Sequence, residues 1–416
     1  MSKVNGHGLF TPEEKCLFRV LSAALWTGAT DKTTDETRSV ALRVDDAPDK
    51  DRLLTMAQEH AVLSLLYPLL EGEEQIPDPL AACIRNESIR TVQQNYRLMF
   101  LSHYLAEQME KRGAVVAVIK GVIASDGYPV PELRKSGDVD LLLFGGKALE
   151  EAERVMEETG FKKDGQQHSA HHHTWRTPEG IDIELHVMLA EPFDDREVNA
   201  VLERQMDRMS SRVCRKSVMG LEFPVLADGD HAYYLLIHML HHFLRAGFGL
   251  KLLCDWTVFW NLPRQEDEVR RYIEQVKETG LTGFSEMVTC LCTHYLGLKK
   301  EHVRLFFAGC YSRREYGGFM REILDAGEFG MQEESRMVVI RRGGIGGYMR
   351  EFHHQMCLNY PEKSKIPLLW PALWIAALGR FLINNRKRRG VSAIRILRKA
   401  GERGRQVEKL DLFKKD

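Results

Sequence analysis

The sequence contains no hydrophobic run long enough to cross a membrane. Its longest apolar stretch, residues 366–378, includes two prolines and is shorter than the ~20 residues that a spanning helix requires. The first residues also lack the apolar core of a secretory signal. We therefore expect a protein that is not built on membrane-spanning helices.

Paired cysteines are also missing. The 416 residues include eight cysteines but no Cys-x-x-Cys motif, and Cys290 and Cys292 are the only close pair. A disulfide framework would need an even set of regularly spaced cysteines. The pattern instead predicts reduced thiols in a cytoplasmic protein.

Neither sign of charge dominates the chain. Its 58 Lys and Arg residues balance 59 Asp and Glu residues, giving a formal net charge of −1, which is not typical of a nucleic-acid-binding protein. A local excess of basic residues begins at Arg386-Lys387-Arg388-Arg389, after a segment with Trp370 and Trp374. This segment could be solvated, or it could contact RNA or an anionic membrane surface.

Hydrophobic periodicity divides the chain into four regions. Residues 1–112 are predicted to be helical, and residues 113–226 to form a core of strands and helices. Residues 227–300 are predicted to be helical and to pack on that core, and residues 301–416 to form a C-terminal helical region with the basic tail. The predicted fold class is α+β, with a small mixed β-sheet between helical segments.

Two aspartates one residue apart lead into a predicted strand, Gly137-Asp138-Val139-Asp140-Leu141-Leu142-Leu143-Phe144. Alternation along a strand places Asp138 and Asp140 on one face and directs Val139 and Leu141 into the core. Neighbouring carboxylates repel each other unless a cation lies between them. Mg²⁺ is the expected cation, because it binds oxygen ligands and shares them with substrate phosphates.

Two other predicted strands carry polar residues. Residues 115–119 form an apolar strand that ends at Lys120-Gly121, where a glycine before a helix lets backbone N–H groups approach a phosphate. A second strand alternates strictly, so that Asp182, Glu184 and His186 share one face. That face supplies a third carboxylate, with Glu184 as the first candidate and Asp182 as its rival.

The first of two histidine clusters precedes that strand and contains His168, His171, His172 and His173. Because neighbouring strand residues point to opposite faces, at most two of these histidines could share one ion. We therefore interpret the cluster as a polar wall of the site rather than a zinc site. A hairpin with a two-residue loop would place His173 opposite Glu184, and His171 opposite His186.

The second cluster, His238, His241 and His242, lies on a predicted helix. No glutamate follows His238 directly, so the segment is not the His-Glu-x-x-His motif of metalloproteases. We interpret these residues as core or domain-interface histidines. Further along the chain, Lys251 and Asp255 lie about one helical turn apart, which is the spacing of an ion pair on a helix face.

In this order the motifs resemble the DNA polymerase β-type nucleotidyltransferase superfamily, in particular its bacterial branch of uncharacterised nucleotidyltransferases. The resemblance rests on the motifs Ile119-Lys120-Gly121, Tyr128-Pro129, Arg134, Asp138-Val139-Asp140-Leu141-Leu142 and Glu184-Leu185-His186. Weaker matches are Glu59-His60-Ala61-Val62, Asn95-Tyr96-Arg97 and Leu252-Leu253-Cys254-Asp255, so that approximately residues 10 to 260 are covered. Lys120-Gly121 stands where the wider superfamily has Gly-Ser, as it does in the branch.

The resemblance implies transfer of a nucleoside monophosphate from a nucleoside triphosphate to an acceptor hydroxyl by two-metal catalysis, with Mg²⁺ as the expected cofactor and Mn²⁺ as its alternative. The predicted catalytic and metal-binding residues are Asp138, Asp140 and Glu184. The predicted substrate-binding residues are Lys120, Gly121, Arg134 and His186. The acceptor could be a small molecule, a peptide or protein side chain, or an RNA end. The family pattern has an acid at the position of Asp255, which leaves a nucleotide contact open there.

Two alternatives remain at this stage. One is a catalytically degenerate nucleotide-binding or toxin–antitoxin-like module. Three intact carboxylates argue against it, because acids around an empty site would only repel one another. The other is a membrane-peripheral scaffold built on the C-terminal segment.

Overall fold

The structure is a computed structural model of the chain. It describes residues 9–26, 49–70, 78–164, 171–245, 247–309, 311–327, 345–360, 363–389 and 410–413. Two predictions fall outside these residues, namely that for His168 and that for the basic tail beyond Arg389.

Helices precede the sheet, as predicted. They are α1 (Pro12–Ala24), α2 (Lys50–Glu59), α3 (Tyr67–Leu70) and α4 (Asp78–Lys111). The Thr11 side chain accepts a hydrogen bond from the Glu14 N–H, and the Glu14 carboxylate accepts one from the Thr11 N–H. This reciprocal pair satisfies two N–H groups that the first turn of α1 leaves without helical partners.

The central sheet contains five strands and is mixed, as predicted. They are β1 (Val115–Ile119), β2 (Val139–Phe144), β3 (Lys162–Lys163), β4 (His172–Arg176) and β5 (Asp182–His186). Their order is β1-β2-β5-β4-β3, and only the β2–β5 pair is parallel. Two helices lie between these strands in sequence, α5 (Gly121–Ser125) and α6 (Gly146–Glu158).

The two faces of the sheet differ in character. One face contributes Val118, Leu141 and Ile183 to a hydrophobic core shared with α4 and α6. The opposite face contributes Ile119 and Leu142 to a larger core shared with the helices that follow the sheet. The predicted inward direction of Val139 and Leu141 is confirmed, and the polar residues of β2 and β5 lie on the opposite face.

Further elements follow the sheet. They are α7 (Arg196–Ser210), the hairpin β6 (Cys214–Val218) and β7 (Leu221–Val225), and helices α8 (Asp228–Arg245), α9 (Leu250–Asn261), α10 (Glu266–Thr279), α11 (Thr282–Tyr295), α12 (Lys300–Val303), α13 (Arg313–Ala326), α14 (Ile345–Asn359) and α15 (Trp370–Arg389). The predominance of helix after Val225 confirms the expected change of pattern there. The fold class is α+β.

The C-terminal helix α15 and the turn before it expose apolar side chains. Leu368 is 89% exposed and Ile375 is 73% exposed, whereas Leu373 is buried. Among the described residues, no helix is both long and apolar enough to span a membrane.

Candidate active site

Strand register brings the polar residues of three strands together. In the parallel pair of β2 and β5, Asp140 lies beside Glu184 and Leu142 beside His186. In the antiparallel pair of β1 and β2, Ile119 lies opposite Asp140, so Lys120 leaves the sheet next to the same carboxylate. Paired residues on neighbouring strands point to the same side of a sheet. Asp140, Glu184 and His186 therefore share the face predicted from alternation.

Asp140 is the centre of this group, which we call the acidic cluster (Lys120, Asp140, Glu184 and His186). Its side chain is buried, and its Oδ1 atom accepts hydrogen bonds from Lys120 Nζ at 2.8 Å and from His186 Nε2 at 2.8 Å. Its Oδ2 atom is also buried, and no hydrogen-bond partner for it exists among the described residues. A buried carboxylate oxygen without a hydrogen-bond partner is costly, and Asp140 has a partner at only one of its two oxygens.

Glu184 adjoins the same two cations. Its Oε2 atom lies 3.1 Å from His186 Nε2 and 3.8 Å from Lys120 Nζ, and its Oε1 atom lies 3.7 Å from His172 Nε2. Burial opposes ionisation of Glu184, but the hydrogen bond from His186 and the charge of Lys120 outweigh it and hold the pKa well below its usual range.

The cations respond in the opposite direction. Burial lowers the pKa of Lys120, but the neighbouring Asp140 carboxylate outweighs burial, so the net pKa lies well above the usual value. For His186, burial and the charge of Lys120 lower the pKa, whereas hydrogen bonds to Asp140 and Glu184 raise it, and the net change is upward. Lys120 is therefore a charged ammonium that adjoins both carboxylates.

Asp138 is close to this cluster but differs from the prediction. Strand β2 begins at Val139, so Asp138 lies one residue before the strand and is not held by its alternation. The charge of Asp140 and burial raise its pKa to about 6, against the lowering effect of Lys120. Its carboxylate therefore stays within electrostatic reach of the cluster.

The turn at Lys120-Gly121 has an unusual backbone. Lys120 has φ +54° and ψ −146°, and Gly121 has φ +37°. Residues other than glycine rarely adopt a positive φ, because this backbone conformation costs about 1–3 kcal/mol. The helix that follows has only five residues, and its Ile123 and Ala124 N–H groups donate to the Lys120 carbonyl.

Arg134 occupies a different position from the one predicted. Its guanidinium is buried, and its Nε and Nη2 donate to the two Asp255 oxygens at 2.8 and 2.6 Å. Nη1 donates to Ser136 Oγ at 2.8 Å and to the Gly121 carbonyl at 3.3 Å. Tyr128 donates to Asp255 Oδ1 at 2.7 Å. We call these residues, without Gly121, the arginine cluster.

The arginine cluster corrects two expectations. Arg134 was predicted to contact phosphate, and Asp255 to pair with Lys251 or to contact the nucleotide, but each is the other's bidentate partner beneath the Gly121 turn. The Asn95 side chain fixes this arrangement by donating to the carbonyls of Glu132 and Arg134 at 2.6 and 2.8 Å. Arg134 is therefore a positioning residue for the turn that carries Lys120.

The β4–β5 hairpin shows that the predicted histidine register was wrong by one residue. His172 lies opposite His186, and Thr174 opposite Glu184. The reason is the loop, which has three residues rather than two. The Thr177 N–H donates to the Ile181 carbonyl, and Gly180 adopts φ +86°. A left-handed glycine at the end of such a loop adds one residue and shifts every pair.

The corrected register makes His172 part of the site wall. His171, just before β4, places its Nε2 atom 2.9 Å from His172 Nδ1. His173 points away and contacts Glu153 Oε1 at 2.7 Å. Burial lowers the pKa of both His171 and His172. The interpretation of this cluster as a polar wall therefore has a structural basis for two of its members.

Helix α8 closes the site from the other side. His241 lies 5.2 Å from His171 between ring centroids, and the charge of Lys120 opposes the burial that raises the pKa of Tyr234. Burial, together with the charge of Lys120, lowers the pKa of His241 to about 4. His241 therefore lies where α8 meets the segment that precedes β4. Sequence reasoning missed Tyr234, which no spacing signal distinguishes.

The donor atoms suit a divalent cation. Asp140, Glu184 and His186 each place one ligand atom within 4.8 Å of the others, and a second such group consists of His171, His172 and His186. Neither group includes Asp138 or Asp182. Asp182 instead accepts a hydrogen bond from the exposed Arg176 at 2.6 Å. Asp140 belongs to the first group, and its Oδ2 atom has no hydrogen-bond partner among the described residues, so this oxygen could serve as a metal ligand.

A family of known proteins matches much of this sequence. The model of a family described as uncharacterised nucleotidyltransferase matches residues 46–297, which is more than half of the chain. The chain belongs to this family. The resemblance predicted from the motifs is confirmed, although the match begins and ends later in the chain than expected.

Other comparisons add little to the family assignment. No curated protein matches the sequence of this nucleotidyltransferase family member. Among solved structures, an antigenic nucleotidyltransferase-like protein from Paracoccidioides brasiliensis is 14% identical, with a TM-score of 0.29. The alignment covers 49% of this chain and 93% of that chain.

Proposed function

We propose that the protein transfers a nucleoside monophosphate from a nucleoside triphosphate to an acceptor hydroxyl and releases pyrophosphate. The observation that carries this proposal is the state of Asp140, whose carboxylate is buried beside Glu184 with one oxygen on two cations and the other without a partner. A buried anion in that state is a site for a further cation. Membership of a nucleotidyltransferase family supports the same reading.

Asp140 and Glu184 would hold the divalent ion, with Asp138 joining them from the preceding loop. Mg²⁺ or Mn²⁺ there would lower the pKa of the acceptor hydroxyl and neutralise charge on the triphosphate. Asp138 is suited to ligation because the ion would relieve the repulsion that now raises its pKa.

Lys120 would move from the carboxylates to the phosphates. Its ammonium now lies 2.8 Å from Asp140 and 3.8 Å from Glu184, where it balances their charge. An ion bound to the carboxylates would take over that role and leave Lys120 to bind phosphate. Glu184 would either ligate the ion or act as the general base that takes the proton from the acceptor hydroxyl. His186 would orient both carboxylates through its Nε2 atom.

The test of this proposal is Glu184→Gln, assayed for nucleotide transfer with each labelled nucleoside triphosphate, Mg²⁺ and a cell lysate as the source of acceptor. The substitution keeps shape but removes charge, so transfer should fall by about 10²–10⁴-fold. Triphosphate binding should change much less, because Asp138, Asp140 and Lys120 remain.

Asp182→Asn is the matched control, since Asp182 lies two residues away on the same strand but pairs with Arg176 at the surface. It should retain transfer. Full activity in Glu184→Gln combined with its loss in Asp182→Asn would assign the third carboxylate to the wrong residue. Full activity in both would remove β5 from the reaction centre.

A degenerate nucleotide-binding module is the second candidate, and one observation favours it. Lys120 and His186 offset charge of Asp140 and Glu184, so repulsion among the acids weighs less against this module than it does from the sequence alone. Triphosphate binding without transfer in the same lysate assay would identify this module.

The C-terminal segment leaves a membrane-peripheral role as a separate proposal. Leu368 and Ile375 are exposed before the basic residues 386–389. Apolar side chains next to basic residues suit an anionic membrane surface. Flotation with anionic liposomes distinguishes this contact from nucleotide transfer.

A further inference from the structure

A group of three imidazoles lies beside the acidic cluster and has no part in the proposed transfer beyond His186. His171 immediately precedes β4, His172 begins β4, and His186 ends β5. Their ring nitrogens lie within 4.8 Å of one another, one from each residue. His172 and His186 are brought together by strand register, and His171 joins them because it lies outside the strand, where alternation no longer directs its side chain away.

Strand alternation does not separate His171 from His172, because His171 lies outside β4. The rings of His171 and His172 meet edge to face at 4.3 Å, and both lie within 6 Å of the His186 ring. Two nitrogens bound to one tetrahedral Zn²⁺ would be separated by about 3.3 Å, given Zn–N bonds near 2.0–2.1 Å. The 2.9 Å contact between His171 Nε2 and His172 Nδ1 is close to that separation.

The groups around His186 favour the binding of a metal ion. His186 is buried, and its Nδ1 atom has no hydrogen-bond partner among the described residues. Binding an ion through that nitrogen would not disturb the contacts of its Nε2 atom with Asp140 and Glu184. Glu184 Oε1, 3.7 Å from His172 Nε2, offers an oxygen nearby, and His241 adds a fourth ring.

We propose that His171, His172 and His186 bind a borderline transition-metal ion, with Zn²⁺ as the favoured species. Imidazole nitrogen suits Zn²⁺ and its neighbours in the first transition row, whereas Mg²⁺ prefers oxygen. Three protein nitrogens leave a fourth position open, as in catalytic zinc centres. This site shares His186 with the acidic cluster but differs from the carboxylate site for Mg²⁺ in its nitrogen ligands, and it does not require nucleotidyl transfer to occur.

The experiment uses the full-length protein, stripped of metal with a chelator and then exposed to Zn²⁺ or Co²⁺ without any nucleotide. After desalting, the wild type should retain about one ion per chain, consistent with a three-histidine site. The Co²⁺ form should show the intense visible bands of a tetrahedral centre. Weak bands of an octahedral, oxygen-bound ion would overturn the proposal. This spectrum is measured on the wild-type protein alone.

Matched variants locate the ion. His171→Gln and His172→Gln should each reduce retained Zn²⁺ close to background. His173→Gln should retain it, because the neighbouring residue faces away and contacts Glu153. Melting temperatures measured with chelator establish that each variant is folded. Equal loss in His173→Gln would contradict the site.

Asp140→Asn separates this proposal from the proposed function. Zn²⁺ retention should survive this substitution, whereas the Mg²⁺-dependent triphosphate response should not. Retention that depends on Asp140 but not on His171 or His172 would place the ion on the carboxylates and overturn the histidine site. A Mg²⁺-dependent triphosphate response that persists in Asp140→Asn, with Zn²⁺ still bound, would leave the histidine site standing and count only against the proposed function.

Discussion

The acidic cluster and the arginine cluster are both buried groups of charged side chains, but they differ in how completely their atoms are paired. In the arginine cluster, Asp255 accepts hydrogen bonds at both oxygens, and Arg134 donates from all three of its nitrogens. In the acidic cluster, Asp140 Oδ2 and His186 Nδ1 are both buried without a partner in the described part of the chain.

This difference separates a structural role from a functional one. A buried charge pair with every atom satisfied fixes the chain around it, and breaking it is costly. Buried polar atoms without partners are a cost that folding alone does not explain, and they are common where a ligand is bound. The arginine cluster contacts the Gly121 turn, and the acidic cluster beside it contains the two buried atoms that have no partner among the described residues.

The largest expected effect on stability comes from breaking the satisfied cluster. Arg134→Met should lower the free energy of unfolding by about 3–5 kcal/mol, because Asp255 would remain buried with only Tyr128 to bind it. Urea denaturation measures this change. The double variant Arg134→Met/Asp255→Leu should recover much of the loss, since it leaves no unpaired charge.

Lys135→Met is the control for the neighbouring position. Lys135 pairs with Glu87 at 3.2 Å and is partly exposed, so its loss should cost about 0–1 kcal/mol. A cost for Arg134→Met no larger than that would contradict the structural role of the arginine cluster.

A smaller effect should come from Asp138 in the metal-free protein. Because the pKa of Asp138 is raised to about 6 in the folded state, folding favours its protonated form. Its contribution to stability is complete below the unfolded pKa of about 4 and is lost as the pH rises through 6. Asp138→Asn should therefore be more stable than the wild type at pH 7, by about 2–3 kcal/mol.

The same comparison contains its own control. Below pH 4 both side chains are neutral, so the difference between Asp138→Asn and the wild type should vanish there. Denaturation in chelator across pH 3.5 to 7.5 measures it. A variant that is less stable at pH 7 would show that Asp138 has a structural role and is not held against repulsion.

The smallest effect concerns the backbone of Lys120. Both Lys120→Gly and Lys120→Ala remove the ammonium, but only glycine relieves the positive φ, so the glycine variant should be the more stable by about 1 kcal/mol. At Glu150, an exposed residue inside α6, we expect the opposite order of stability. There alanine should be the more stable by about 0.5–1 kcal/mol. An alanine preference at both positions would refute strain at Lys120.

Alternation alone predicted which face of the sheet carries Asp140, Glu184 and His186, because it depends only on neighbours in sequence. The pairing of Asp140 with Glu184 depends on strand register, which the sequence states only indirectly. The histidine register failed at Gly180, where one left-handed residue in the loop shifted the whole hairpin. Local turn chemistry of this kind is difficult to infer from composition.

The partner of Arg134 could not be predicted from the sequence, for a different reason. Asp255 lies 121 residues further along the chain, on α9, and no local pattern connects the two. Asn95, whose motif matched the family only weakly, proved to hold the backbone of Arg134. Residues that act by positioning another residue therefore appear in a sequence as isolated matches, and only the tertiary structure gives them a role.

The most direct test of the acidic cluster is the melting temperature measured with a nucleoside triphosphate in the presence and absence of Mg²⁺. A ligand that binds only the folded state raises the melting temperature, so the wild type and the surface control Asp182→Asn should both show a Mg²⁺-dependent increase. The double variant Asp138→Asn/Asp140→Asn should lose that increase while remaining folded. A double variant that responds to Mg²⁺ and triphosphate as the wild type does would place the nucleotide site elsewhere and contradict the account.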